Sequence, residues 1–281
     1  MKELAGRTAV VTGAGSGIGR ALACRFATEG MQVGLLDIDG DAARATAELI
    51  ADVAPATRTF TVAVDVSDDD AVARAADAVF AEFGAVHVLC LNAGVFLGGL
   101  LWERPKVDLD FAFGVNIDGV INGIRRFVPR MIAGGKDGVV INTSSTNGGL
   151  RSLPNTPIYA ATKAAVTSIS EVLYQQLLKD GGRVKAAVLF PGPHTVNTSI
   201  MASRLVRPAE YAGAEPEEPV AYRTMQDLVK TTGLNLQLTE PEEVASAIRW
   251  FLSPEQGWVT GQVLAVDGGL GSVQSRTTPA Y

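Results

Sequence analysis

Two side chains with complementary chemistry stand four residues apart in P-I-Y-A-A-T-K-A-A-V (157–166): the phenol of Tyr159 and the ammonium of Lys163. That spacing puts both on one face of a helix. A free phenol has a pKa of about 10 and is a poor base near neutrality, but a cation one turn away favours its ionised form. Such a pair could exchange a proton with an oxygen held beside it. The same spacing also serves an ordinary surface helix, so its meaning depends on what accompanies it.

The second group is T-G-A-G-S-G-I-G, Thr12 to Gly19, directly after an apolar run. A G-x-G-x-x-G pattern starting at Gly13 would need glycine at 18, where Ile18 stands. No Lys-Ser or Lys-Thr follows, so it is not a Walker loop either. The physics is still that of a phosphate cradle. Gly13 can make the sharp turn, Gly17 lets backbone N–H groups approach an anion, and Gly19 lets the helix pack close to the strand. Asp37 closes the next apolar run, 18 residues after Gly19. A carboxylate there can accept hydrogen bonds from a ribose hydroxyl pair and repels a 2′-phosphate. Neither Ser16 nor Ile38 supplies a cation to hold such a phosphate, so NAD rather than NADP is expected.

The elements that must carry these groups are legible as an alternation. Strands are expected at 7–12, 31–37, 57–64, 86–91, 138–143, 184–190 and 262–269. Most are continuous apolar stretches, as in strands buried on both faces of a parallel sheet. Helical spacing fills 19–29, 68–83 and 241–252, with acids at the start of the last two, where the helix dipole favours them. Asp39 and Asp41 read as helix-cap residues. Repeated β-α-β units predict an α/β chain with a doubly wound parallel seven-stranded sheet, a Rossmann fold with helices on both faces. One domain is expected over 1–281, with a substrate lid at 197–239 and a C-terminal tail at 271–281 that either frays or reaches a neighbouring subunit's pocket.

Composition excludes several classes. With 47% hydrophobic residues the chain can build a large core, and a net charge of −6 without a basic cluster argues against nucleic acid. Cys24 and Cys90 read as small buried hydrophobes. His87 and His194 stand apart from each other and from both cysteines, so no metal site is expected. M-K-E-L-A-G-R lacks the apolar core of a signal peptide, and no apolar run is long enough for a bilayer. No membrane association and a cytoplasmic setting are the expectations.

With T-G-A-G-S-G-I-G, D-V at 65–66, N-A-G at 92–94 and Y-A-A-T-K at 159–163 in this order, the chain resembles the short-chain dehydrogenase/reductase family over residues 5–270. The resemblance implies that Tyr159 is the catalytic acid/base and Lys163 its helper, which also anchors the nicotinamide ribose. It implies cofactor contacts at Gly13, Ser16, Gly17, Ile18, Gly19 and Asp37. Asp65 and Val66 would border the adenine, and Asn92, Ala93 and Gly94 would support the sheet centre and line the cofactor. Asn116, in F-G-V-N-I-D-G-V, matches an asparagine that holds a water in a proton relay. Of the two serines in I-N-T-S-S-T-N-G-G, Ser145 fits the catalytic serine best, and Ser144 remains a contender. Pro191 and Gly192 would flank the nicotinamide. Beyond them the chain departs from the family pattern, reaching Val196 and Thr198 two residues late, which leaves the carboxamide contact open among Thr195, Val196 and Thr198.

These expectations describe an NAD-dependent short-chain alcohol dehydrogenase or ketone reductase. Leu150, Leu153, Pro154, Ile200, Met201, Leu205, Tyr211, Tyr222 and Met225 favour a bulky hydrophobic or aromatic secondary alcohol. Arg151, Arg204 and Arg207 would instead suit a small polar or carboxylate-bearing one, and His194 could line the pocket. A catalytically retired NAD-binding regulatory protein is the third reading. The resemblance further implies a homodimer or homotetramer, assembled through the helices carrying Asn116 and Tyr159 and the C-terminal strand region.

Overall fold

The computed structural model describes residues 3–150, 152–191, 196, 198, 200, 240–252 and 263–266. In chain order the elements are β1 (Thr8–Thr12), α1 (Gly17–Thr28), β2 (Gln32–Asp37), α2 (Gly40–Val53), β3 (Thr59–Ala63), α3 (Asp69–Phe83) and β4 (Val88–Leu91). Next come α4 (Lys106–Phe113), a π-helical turn (Gly114–Asp118), α5 (Gly119–Ala133), β5 (Gly138–Thr143) and a single turn, α6 (Thr146–Gly149). The chain continues through α7 (Pro157–Lys179), β6 (Val184–Pro191), α8 (Pro241–Phe251) and β7 (Val263–Val266).

The seven strands form one sheet in the order β3-β2-β1-β4-β5-β6-β7, and every pairing is parallel. The central strands β1, β4 and β5 are buried at every position, which is why they read as unbroken apolar runs. The edge strand β3 is only half-buried and is shorter than the 57–64 run. One apolar layer, under α1, α2 and α8, includes Leu22, Phe26, Ile50 and Ile248. The other, under α3, α5 and α7, includes Val79, Phe127, Val166 and Leu173.

Helix starts follow local chemistry. Asp39 caps α2 by accepting from the Asp41 and Ala42 N–H groups, and Asp68 caps α3 in the same way through Asp70 and Ala71. Asp41 lies in the first turn of α2 instead of at the cap. Asp69 ties α3 to α5 through Arg125 and Arg126, at 3.0 and 2.6 Å. Cys90 is fully buried, whereas Cys24 is half-buried on α1, because only one face of that helix meets the core.

The strand order reverses between β1 and β4. Chain leaving β1 goes one way to β2, and chain leaving β4 goes the other way to β5. The connections therefore diverge and open a crevice above the carboxyl ends of these strands. The Gly13–Gly19 loop, Asn92–Gly94 and Ser144–Ser145 all sit at those ends. The tail 271–281, the lid 197–239 (apart from Thr198 and Ile200), Gly192, His194, Thr195 and Arg151 lie outside the described residues. Among the described residues no helix is long and apolar enough to cross a membrane, and no His, Cys, Asp and Glu group is placed to hold a metal ion.

Candidate active site

The glycine loop is shaped by close approach. A Cβ at Gly19 would lie 2.0 Å from the Gly13 carbonyl oxygen, and one at Gly13 would lie 2.9 Å from Ala93 Cα. Neither position admits a side chain, so α1 starts directly against the end of β1 with its first N–H groups facing the crevice. Gly13 and Gly17 both have positive φ, 67° and 50°. Ser16 is exposed at the helix N-cap, and Ile18 packs its side chain on the core, leaving its backbone to the cradle. Such an open, amide-lined turn suits the pyrophosphate of a dinucleotide.

Asp37 is built into this loop. Its Oδ2 accepts from Gly15 N–H at 2.7 Å and its Oδ1 from Asp39 N–H at 3.0 Å. Burial pushes its carboxyl above the ordinary value, while those N–H bonds oppose the rise. Each carboxylate oxygen keeps a further lone pair for a ribose hydroxyl. The sequence reading overlooked one nearby cation, Arg20. Its guanidinium bonds the Gly15 carbonyl oxygen and Thr46 Oγ1, behind the loop.

Threonines at the strand ends join the crevice walls. Thr12 Oγ1 accepts from the N–H groups of Asn92 and Ala93, at 2.9 and 3.0 Å, and Asn92 Nδ2 donates to Thr12 O. Thr143 Oγ1 donates to Asn92 Oδ1 at 3.2 Å, linking β4 to β5. Asp65 holds its own turn by accepting from Ser67 N and Oγ. Val66 O accepts from the buried Asn122 Nδ2, which pins the Asp65–Val66 corner to α5. Thr12 and Thr143 lie within the quoted motifs but take no role from the sequence, and Asn122 carries no pattern there at all. The shifted loop after Pro191 also reaches the cradle. Val196 is buried in the core, and a Cβ at Gly17 would lie 2.8 Å from Thr198 Cγ2.

Ser145, Tyr159 and Lys163 converge beside this crevice. Ser145 Oγ accepts from Asn147 N–H at 3.1 Å and hydrogen-bonds the Tyr159 hydroxyl. Ser144 is committed elsewhere: its Oγ donates to Lys163 O at 2.7 Å and meets Thr167 Oγ1. Lys163 is 3% exposed and donates from Nζ to Thr143 O at 2.9 Å. Its Nζ lies 5.7 Å from the Tyr159 ring centroid. Phe96 also packs against that ring, with centroids 5.0 Å apart. Tyr159 is half-buried.

Burial dominates both ionisations. It pushes the Tyr159 phenol up to about 12, with the Ser145 hydrogen bond opposing, and pulls the Lys163 ammonium down to about 8. In this structure desolvation is the largest cause for both groups. Burial disfavours the charged form of each group, a phenolate for Tyr159 and an ammonium for Lys163.

Asn116 is held from several sides. The π-helical turn swings it inward, where it is 1% exposed. Its Oδ1 accepts from Val95 N–H at 2.8 Å, and its Nδ2 donates to Val95 O and Thr162 Oγ1, both at 3.0 Å. Three of its four hydrogen-bonding positions are thus taken up in holding the loop after β4 against α7.

A fold whose crevice lies between a glycine cradle and a Ser-Tyr-Lys cluster defines a nucleotide-linked oxidoreductase class. The family model described as short chain dehydrogenase matches residues 7–206. The chain is 32% identical over 269 residues to 3beta-hydroxysteroid dehydrogenase 1 of Eggerthella lenta, covering 95% of each chain. It is 34% identical over 254 residues to the C alpha-dehydrogenase of a Sphingobium species, covering 89% of this chain and 78% of that one. A crystal structure of a short chain dehydrogenase/reductase from Burkholderia phymatum in complex with NAD superposes with a TM-score of 0.83 at 35% identity, covering 95% of this chain and 90% of that one. The protein belongs to the short-chain dehydrogenase/reductase family.

Proposed function

We propose that this oxidoreductase interconverts a secondary alcohol and a ketone with NAD as its cofactor. The observation that carries the reading is the convergence of Ser145, Tyr159 and Lys163 on the crevice that the glycine cradle opens. Asp37, beside the cradle, favours a dinucleotide with free ribose hydroxyls, and the nearby Arg20 is engaged behind the loop. The residues that would hold NAD are Gly13, Ser16, Gly17, Ile18 and Gly19 at the phosphates, Asp37 at the ribose, Asp65 and Val66 at the adenine, and Asn92, Ala93, Gly94, Tyr159, Lys163, Pro191, Gly192, Val196 and Thr198 toward the nicotinamide.

The nicotinamide supplies the hydride acceptor and, when oxidised, a positive charge. Ser145 Oγ accepts from the Asn147 N–H, so its one proton stays on the Tyr159 side and would turn to a substrate oxygen bound beside the phenol. In oxidation Tyr159 takes the hydroxyl proton as hydride leaves the carbinol carbon. In reduction the same phenol gives that proton back to the forming alkoxide. Lys163, held by Thr143 O with its Nζ 5.7 Å from the Tyr159 ring centroid, would hold the nicotinamide ribose. With its side chain committed to Val95 and Thr162, Asn116 acts in this scheme by holding the relay's framework, and any water it carries would use the remaining Oδ1 lone pair.

The substrate is a bulky hydrophobic or aromatic alcohol. Phe96 packs at a tilt against the acid/base itself and Leu150 is exposed next to Ser145's turn. Similarity to a 3β-hydroxysteroid dehydrogenase supports an apolar skeleton. Purified protein should reduce NAD faster with a 3β-hydroxysteroid or 1-phenylethanol than with lactate, and faster with NAD than with NADP. Tight NAD binding without turnover of any alcohol or ketone would leave the retired regulatory protein as the better reading.

A homodimer is part of the same proposal. α5 and α7 present an apolar groove lined by Ile121, Ile124, Ile169, Val172 and Leu173, and Val172 is half-exposed. A second copy related by a two-fold axis would cover it. Light scattering should give twice the chain mass or more, and Val172→Glu should shift it toward one. A monomeric wild type would remove this part.

A further inference from the structure

The turn between β5 and α7 contains a buried amide that the chemistry described so far does not use. Asn147 is 8% exposed and has φ −79° and ψ 104°, extended geometry inside the α6 turn. Its backbone N–H is the donor to Ser145 Oγ. Its side chain reaches forward along the chain: Nδ2 donates to Thr156 Oγ1 at 2.7 Å, and Oδ1 accepts from Leu153 N–H at 3.1 Å. Thr156 is itself buried and donates its hydroxyl proton to Leu153 O at 3.2 Å. It also starts α7, since its carbonyl accepts from Ala160 N–H at 2.9 Å. Tyr159 follows within the first turn.

The neighbouring residues leave no slack. Gly148 has φ 104°, and a Cβ there would lie 2.2 Å from Ala160 O. A Cβ at Gly149 would lie 2.3 Å from the Phe190 ring. The turn carrying Ser145 is therefore pressed between α7 and β6, and Asn147 is the side chain that bolts it to the segment leading into Tyr159.

We propose that Asn147 is a positioning residue: its amide braces the Ser145 turn against Thr156, which holds the 147 N–H on Ser145 Oγ and aims the serine proton toward Tyr159 and the substrate oxygen. Removing the amide takes the acceptor from the Leu153 N–H and the donor from Thr156 Oγ1, which keeps only its own bond to Leu153 O. The backbone at 147 then relaxes from its extended conformation, and Ser145 loses its fixed donor. A hydroxyl free to rotate donates less consistently to Tyr159, whose phenol then stays at the higher value that burial imposes.

The proposal rests on the alcohol–ketone reading, and its test has one arm that does not require turnover. Crystal structures of wild type and Asn147→Ala, both with NAD, should show Ser145 Oγ leaving the 147 N–H in the variant. In the kinetic arm, Asn147→Ala should lower kcat about tenfold to a hundredfold with the wild type's best alcohol. KM for NAD should not change. The acid limb of kcat/KM for oxidation should move up by roughly half to one pH unit, the size of one hydrogen bond. Thr156→Val, nearly isosteric, should give a weaker effect of the same sign. The double variant should be no worse than Asn147→Ala alone. An unmoved Ser145 in the crystal, or a pH profile unchanged in both single variants, overturns the proposal. If wild type turns over no alcohol, the functional reading fails and the crystals still decide whether Asn147 holds Ser145.

Discussion

Tyr159→Phe is expected to lower kcat roughly 10²- to 10⁴-fold, the usual range for losing a positioned general acid/base, with NAD affinity close to wild type. The phenylalanine ring keeps the contact with Phe96 at 5.0 Å and loses only the hydroxyl and its bond to Ser145. Fold and cradle should therefore be intact, and the loss should fall on the chemical step. The direction of the pH dependence follows from the same group. Burial pushes the phenol up to about 12, so near neutrality it is protonated and ready to donate. Ketone reduction should accordingly hold its rate at neutral pH, while alcohol oxidation should gain as pH rises and the phenolate becomes populated. Stopped-flow and steady-state rates in both directions, with NAD binding by fluorescence quenching, check this. A Phe variant that oxidises alcohols at near-normal rates would remove Tyr159 from the mechanism.

Lys163→Met should combine a large loss of kcat with a stability signature that belongs to burial. In the folded chain the ammonium is pulled from its ordinary 10.5 down to about 8, and the unfolded chain has no such shift. Below pH 8 both states hold the proton, so the full burden of burying the charge is present. Between 8 and 10.5 the unfolded state binds more protons than the folded one, so wild-type stability gains as pH rises. The relief amounts to about 3 kcal/mol over that window, taking 1.36 kcal/mol per pH unit. The Met variant carries no such titration. Urea unfolding should show it more stable than wild type at pH 7, less the lost bond to Thr143 O, with wild type gaining ground toward pH 10.5. Parallel curves for the two proteins across that range would contradict a buried, charged Lys163.

The alternation of strands and helices was legible because both faces of β1, β4 and β5 are covered, so each strand had to be apolar at every position. The edge strand β3 was read too long for the same reason in reverse: half-exposed residues blur the boundary. The departure after Pro191 left three candidates on paper. Thr198 lies over Gly17 and Val196 enters the core, placements set by loop packing that no spacing rule contains, while Thr195 lies outside the described residues. Arg20 looked like a plain helix residue, yet it closes the back of the cradle across a turn of the fold.

By itself the sequence determined the crevice and its opening chemistry. Glycines at 13, 17 and 19, an acid at the end of the second strand, and a phenol and ammonium at helical spacing act through local geometry, and local geometry is written in the order of residues. Only the tertiary structure decided which serine faces the phenol, since Ser144 and Ser145 differ by the side of the chain each leaves from and by what waits there. It also decided that Asn116 braces Val95, that Asn147 joins Ser145 to Thr156, and that Tyr159 rises while Lys163 falls. Those outcomes depend on how much water each group has lost to neighbours distant in the chain, and desolvation is summed over a whole surrounding volume that no linear pattern records.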